Sequence, residues 1–278
     1  MRLGAKIRSM FHDVIELRDF YASRTGEVAR QLIRRQVRTL WPDLRDQRVL
    51  GVGYATPFLN QFKDEAERVI AFMPAAQGVL RWPEGSLSAV ALAEHTAWPL
   101  PDYSIDRVLL VHALEHAEDL RDLMHEAWRV LMGDGRLLVV TPNRRGLWAH
   151  SERTPFGHGH PYSANQLTKL LRDQMFLPMQ TRHALFVPPV RSRTLLGSAP
   201  AIERIGLRYV GALGGVVMIE ASKRIYAANK PAERMPTRSR VVVPFPQVAG
   251  RPRGVAGAAS SRNNRSSTST STSNPTST

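Results

Sequence analysis

WPLPDYSIDRVLLVHALEHAEDLRDLMHEAWRVLMGDGRLLVVTPN, residues 98–143, holds two apolar runs separated by a segment of helical period. IDRVLLV (105–111) is unbroken enough to be a strand covered on both faces, because a strand with one wet face alternates. Ala117, Leu120, Met124, Ala127 and Leu131 then recur at helical spacing, and Gly133 ends that helix. RLLVVTPN (136–143) is a second buried strand.

The same alternation extends toward the N-terminus. RVLGVG (48–53) is a short apolar strand ending in glycines, Pro57 suits the first turn of a helix, and Phe58, Phe62 and Ala66 continue one face. RVIAFM (68–73) is a strand stopped by Pro74, and SAVALAE (88–94) is a third. The link from Met73 to Ser88 is short, so the crossover there is expected as a loop rather than a helix. Residues 13–41 read as helical: Val28, Leu32, Val37 and Leu40 form one stripe, with Arg30, Arg34, Arg35 and Arg38 around the rest. Such a helix packs its apolar face on its own domain or lies on a membrane or acidic partner; the first is the expectation.

After Asn143 the chain enters a long loop, NRRGLWAHSERTPFGHGHPY (143–162). Ser163 can cap a helix carrying Leu167, Leu170, Leu171 and Met175. ALFVPP (184–189) and GGVVMIEASK (214–223) read as the last two strands. Strands alternating with helices imply a parallel α/β sheet whose ligand site lies beyond the carboxyl ends of its strands. The expected organisation is an N-terminal helical segment over 1–47, the α/β domain over 48–227, and a disordered basic Ser/Thr-rich tail over 228–278.

The chain has 278 residues, 43% of them hydrophobic, an ordinary globular fraction, and no cysteine. That excludes disulfides, thiolate metal sites and a cysteine nucleophile, and suits a reducing compartment. The start, MRLGAKIRSMFHDVIEL, lacks the apolar core of a signal peptide, and Met10 is an alternative start. No apolar run approaches the roughly 20 residues of a membrane span, so the expectation is a soluble cytoplasmic protein of unspecified oligomeric state. Half of the formal charge of +14 falls in residues 230–278, which hold eight Lys/Arg against the single acid Glu233. Nucleic-acid binding through that tail is conceivable and not favoured.

Within LGVGYATP (50–57) a glycine at a strand-to-helix turn lets backbone N–H groups approach an anionic or carboxylate-bearing ligand. As a dinucleotide fingerprint it lacks the third glycine, since Thr56 stands there. The longer stretch is more specific. Leu100, Pro101, Asp102, Asp106, His112, Leu114, Glu115, His116, Glu126, Arg129, Val130, Leu131, Gly133, Gly135, Pro142 and Asn143 fall in order at matching spacing, and here the chain resembles class I S-adenosylmethionine-dependent methyltransferases of the broad type 11 group. The resemblance implies a Rossmann-like α/β fold, a mostly parallel central sheet with helices on both faces and an N-terminal helical segment. It implies S-adenosyl-L-methionine as cofactor and methyl transfer as activity. Gly51, Val52, Gly53, Tyr54 and Ala55 match the first cofactor motif, Glu94 an acid near the adenine amino group, and Val111 and His112 the methyl-transfer end.

Two departures stand out. The acid that usually precedes the first glycine is Gly51 here, and the acid that usually ends the second strand to hold the ribose is absent, because the strand runs into Met73 and Pro74. Gln77 is the nearest side chain able to accept and donate to a ribose. His112 is the candidate general base, since histidine ordinarily titrates near neutrality. The acceptor is expected to be a small molecule. The alternatives are a catalytically silent binding protein with a weakened cofactor site, a nucleic-acid methyltransferase, and, least supported, a nicotinamide oxidoreductase.

HALEH (112–116) also matches H-x-x-E-H, a zinc-peptidase motif. Its use as a metal site requires both histidines on one helix face. With His112 at a strand end and the helix starting near Glu115, the two imidazoles are expected to diverge, so no metal is assigned. His158 and His160 are read as a solvated or locally bonded pair, with metal binding or pocket lining as alternatives. Tyr21 either caps the pocket or is a core aromatic.

Overall fold

The structure, a computed structural model, describes residues 13–224 apart from Ser86 and His95. The tail over 228–278 and the alternative start at Met10 lie outside the described residues. Seven strands form one sheet: β1 (Arg48–Gly53), β2 (Arg68–Met73), β3 (Val90–Leu92), β4 (Ile105–Val111), β5 (Leu131–Pro142), β6 (Phe176–Ala184) and β7 (Val216–Lys223), in the order β3-β2-β1-β4-β5-β7-β6. β3, β2, β1, β4 and β5 run parallel, and β7 enters antiparallel between β5 and β6. The strand order reverses between β1 and β4, so the crevice at their carboxyl ends is the topological switch point where α/β sheets bind ligands.

Helices cover both faces. α1 (Val14–Ala22), α2 (Arg24–Leu40) and the short α3 (Thr56–Leu59) pack on one face; α4 (Leu120–Val130) and α5 (Ala164–Asp173) pack on the other; α6 (Arg193–Gly197) and α7 (Ala199–Tyr209) follow β6. The central strands read as unbroken apolar runs because alternate residues feed two separate cores. Leu109 and Val111 join the cluster of α1 and α2, whereas Val108 and Leu110 join that of α4 and α5.

Several expectations need correction. The single helix over 13–41 is two, divided at Ser23, which ends α1 and caps α2 by accepting from Gly26 N. α4 ends at Val130 rather than Gly133, and β5 starts at once with Leu131, longer than 136–143. ALFVPP is not a strand: the sheet instead takes Phe176–Ala184, an edge strand with polar exposed positions and Pro178 at a register shift. An edge strand has only one partner and tolerates proline, so it carries little apolar signal. Among its described residues the Met73–Ser88 link holds no helix.

Candidate functional site

β1 ends at Gly53 with φ +78°, and a Cβ there would lie 2.3 Å from Val111 O. Only glycine lets the β1 turn pass this close to β4. Tyr54 N–H then donates to Val111 O at 2.8 Å, pinning the turn across the switch point. Gly51, inside β1, is glycine for a packing reason: a Cβ would meet Leu59 at 2.5 Å and Ala55 at 2.7 Å. The residue with which the usual acid is replaced is therefore enclosed by its own helix. Met73 at the end of β2 is fully buried and Pro74 is buried beside it.

Gln77 lies in the turn after β2, 5% exposed, and its carbonyl accepts from Val14 N at 2.9 Å, tying α1 to this edge of the crevice. Its side-chain Oε1 is buried with no hydrogen-bond partner. Glu94 is exposed beyond β3, in a bridge with Ala97.

His112 follows β4 with φ +51° and is 2% exposed. Its Nε2 stands 2.7 Å from the Tyr21 hydroxyl and its Nδ1 3.1 Å from Glu115 Oε1. A Tyr–His–Glu chain is thus assembled from α1 and the β4 turn. The Tyr21 ring stacks on Tyr54 at 5.7 Å, and Phe156 approaches His112 at 5.1 Å between ring centroids. Tyr21 is a core aromatic, 3% exposed, and its hydroxyl engages the His112 nitrogen that a general base would use. Burial holds the Tyr21 hydroxyl well above its ordinary pKa, with Tyr54 and Glu115 adding to the effect. Burial also pushes Glu115 up, but the His112 hydrogen bond and the charges of His112 and His116 outweigh it, leaving that carboxyl below its usual range.

The expected divergence of the two imidazoles is wrong. Leu114–His116 is a turn of 3-10 helix, not the start of an α-helix. One ligand atom from each of His112, Glu115 and His116 lies within 4.8 Å of the other two. The 155–160 loop closes over them: His160 N–H donates to Glu115 O at 2.9 Å, and a Cβ on Gly159 would lie 2.4 Å from that same oxygen. His158 Nε2 bonds locally to Glu152 O at 2.9 Å. The role of Glu115 escaped the sequence reading, although the three-residue spacing from His112 was its signal.

Next to the crevice, Asp19, Phe20, Arg24, Arg153, Thr154 and Val190 line part of a cavity of about 640 Å³. Phe20 separates it from the site, in edge contact with Tyr21 at 5.0 Å and Phe156 at 6.0 Å.

The methyltransferase domain family matches residues 36–139. A protein of Mycobacterium tuberculosis named probable S-adenosylmethionine-dependent methyltransferase is 37% identical over 99 residues, 35% of each chain. A protein of Mycolicibacterium smegmatis with the same description is 33% identical over 132 residues, 45% of this chain and 49% of that one. The chain therefore spans half or less of the length of these curated relatives. Among solved structures, a SAM-dependent methyltransferase from Thermotoga maritima superposes with a TM-score of 0.53 at 19% identity, covering 76% of this chain and 96% of that one. One from Archaeoglobus fulgidus gives 0.51 at 19% identity, covering 70% and 94%. These two likenesses fix the fold.

Proposed function

We propose that this chain transfers a methyl group from S-adenosyl-L-methionine to a small-molecule acceptor, a reading supported by the match of residues 36–139 to the methyltransferase domain family and by the shared fold. The observation that carries the reading is the β1–β4 turn: a left-handed glycine at the topological switch point, where β1 runs so close to Val111 O that no Cβ would fit. The buried, partnerless Gln77 Oε1 is the second support, an acceptor of the kind ribose hydroxyls would satisfy. Gly51, Val52, Gly53, Tyr54 and Ala55 would hold the methionine portion, Gln77 the ribose, Glu94 the adenine amino group, and Val111 and His112 the methyl-transfer end.

The cofactor supplies a methyl group on a sulfonium, ready for in-line displacement. The protein then has chiefly to position the acceptor and keep water out. Tyr21, Tyr54 and Phe156 provide that dry wall. Where the acceptor must lose a proton, His112 is placed to take it once the acceptor displaces the Tyr21 hydroxyl, with Glu115 orienting the ring. The neighbouring cavity of about 640 Å³ is within the range that holds small ligands, and an acceptor seated there would reach His112 once the Phe20 ring between them swings aside.

Calorimetry of the full chain with S-adenosylhomocysteine tests the reading. One saturable site is expected, weakened by Gln77→Ala by about two- to tenfold, the worth of one hydrogen bond. Unchanged affinity in Gln77→Ala removes the ribose assignment. No heat at all favours the silent binding protein, the reading to which Gly51 and Met73 point by standing where acids are usual.

A further inference from the structure

Among the described residues, His112, Glu115 and His116 are the one group of three His, Asp or Glu whose donor atoms converge. We propose that they bind a single late first-row divalent cation, zinc in the first instance, through one nitrogen of each histidine and the Glu115 carboxylate, with a further position open to water or an acceptor oxygen.

Geometry comes first. Zinc bonds of about 2.0–2.1 Å in a tetrahedron place neighbouring donor atoms roughly 3.3 Å apart. His112 Nδ1 and Glu115 Oε1 already stand 3.1 Å apart, and one donor atom from each of the three residues lies within 4.8 Å of the other two. The spacing needed is thus reached by side-chain adjustment of about 1.5 Å or less. All three residues are buried, so the site is not a chance meeting of mobile surface side chains.

Unmet chemistry comes second. Glu115 Oε2 is buried without a hydrogen-bond partner, and a carboxylate oxygen left dry in this way is costly. A cation shared with the two imidazoles satisfies it. The two-nitrogen, one-oxygen donor set suits zinc, cobalt or nickel rather than magnesium or calcium, which take oxygen.

The surroundings are those of a supported site. With Nδ1 of His112 on the ion, its Nε2–H donates to the Tyr21 oxygen at 2.7 Å, the outer contact that fixes a metal-bound imidazole. On the other side Gly159 packs without a side chain, since a Cβ would lie 3.0 Å from His116 Cε1. When the ion is bound, His112 is a ligand and cannot act as base. The ion takes over that task by lowering the pKa of the hydroxyl or water it holds. The site itself stands whether or not methyl transfer does.

The test uses the full chain stripped with EDTA and titrated with Zn²⁺ by calorimetry and with Co²⁺ by visible absorption. One equivalent of either ion per chain is expected, with cobalt bands showing nitrogen and oxygen ligation. Glu115→Gln and His116→Ala should each weaken binding by about 100-fold or more, and Tyr21→Phe by roughly ten- to 100-fold. Exposed His125→Ala should change nothing. Binding that is absent, or equal in wild type, Glu115→Gln and His116→Ala, overturns the proposal. Should both variants fail to fold, X-ray absorption of the wild-type cobalt protein decides: fewer than two imidazoles on the ion overturns it, and two sustain it. Heat with S-adenosylhomocysteine is read on the same samples, so loss of the cofactor reading and loss of the cation site are told apart.

Discussion

Replacing Arg129 with methionine should unfasten the turn that leads from β3 into β4. The guanidinium donates to both Glu126 oxygens at 2.8 Å, to Leu100 O at 2.8 Å, to Trp98 O at 3.0 Å and to Asp102 Oδ1 at 2.6 Å. Glu126 also accepts from Trp98 N at 2.7 Å. Arg129→Met leaves a 7%-exposed carboxylate without its arginine and the Leu100 carbonyl without a donor, while Trp98 O keeps the Leu100 N–H. Breaking a buried pair by removing one partner costs about 3–5 kcal/mol. The Arg129 side chain is 24% exposed, so water can partly replace it, and about 3 kcal/mol is the appropriate figure. For a domain of this size that lowers Tm by roughly 6–12 °C. The pH dependence has a definite sign. The Arg129 hydrogen bond holds Glu126 below the usual carboxylate range against the opposing effect of burial. Its stabilisation is therefore complete above the unfolded carboxylate pKa and is lost as pH falls through the lower folded one. Thermal and denaturant melts of wild type and Arg129→Met at neutral and acidic pH measure it. The gap should shrink in acid. A variant melting within about 1 °C of wild type at neutral pH would refute the clamp, as would a gap that ignores pH.

Lys223 should show linkage of the same sign at alkaline pH, with burial rather than an ion pair as its cause. Its ammonium lies against Tyr103 at 3.8 Å and Trp128 at 3.9 Å and donates to Leu131 O at 2.8 Å, and burial pushes its pKa down to about 8. Between that value and the ordinary 10.5 the folded chain binds fewer protons than the unfolded one, so stability from this group rises with pH across the window. Lys223→Met should flatten that rise; an equal stability difference between the two proteins at either end of the window argues against it. Gly53→Ala should cost about 2–4 kcal/mol by denaturant melt, from its left-handed backbone and the blocked approach to Val111. Gly85→Ala, equally left-handed at φ +75° but with nothing within 4 Å, should cost only about 1 kcal/mol. Equal losses would mean that the close approach at Gly53 contributes nothing.

The Arg129 clamp also explains why residues 98–143 were readable at a distance. Glu126, Arg129, Asp102 and the Trp98 backbone meet only if helix and loop hold one particular arrangement, so their spacing encodes a tertiary contact and not merely a helix. The central strands are legible for a similar reason, since both faces of Val108–Val111 and Leu137–Val140 are buried and those positions are all apolar. β6 is not, because an edge strand exposed along much of its length follows no such rule. At the crevice, legibility stops where chemistry depends on turn type. On an α-helix starting near Glu115, the strand-borne His112 and the helical His116 of H-x-x-E-H would point apart. Leu114–His116 is instead a 3-10 turn, and His112, two residues before it, has a left-handed backbone with its Nδ1 3.1 Å from Glu115 Oε1. Nothing in the residue types at 112–116 distinguishes the two helices. The difference is made by the 155–160 loop, whose His160 N–H takes the Glu115 carbonyl that a continuing α-helix would have used. Five letters that fit a zinc motif, a base and an ordinary strand end are thus assigned by a loop more than 40 residues away, and the Glu115→Gln titration asks which of those uses the protein makes of them.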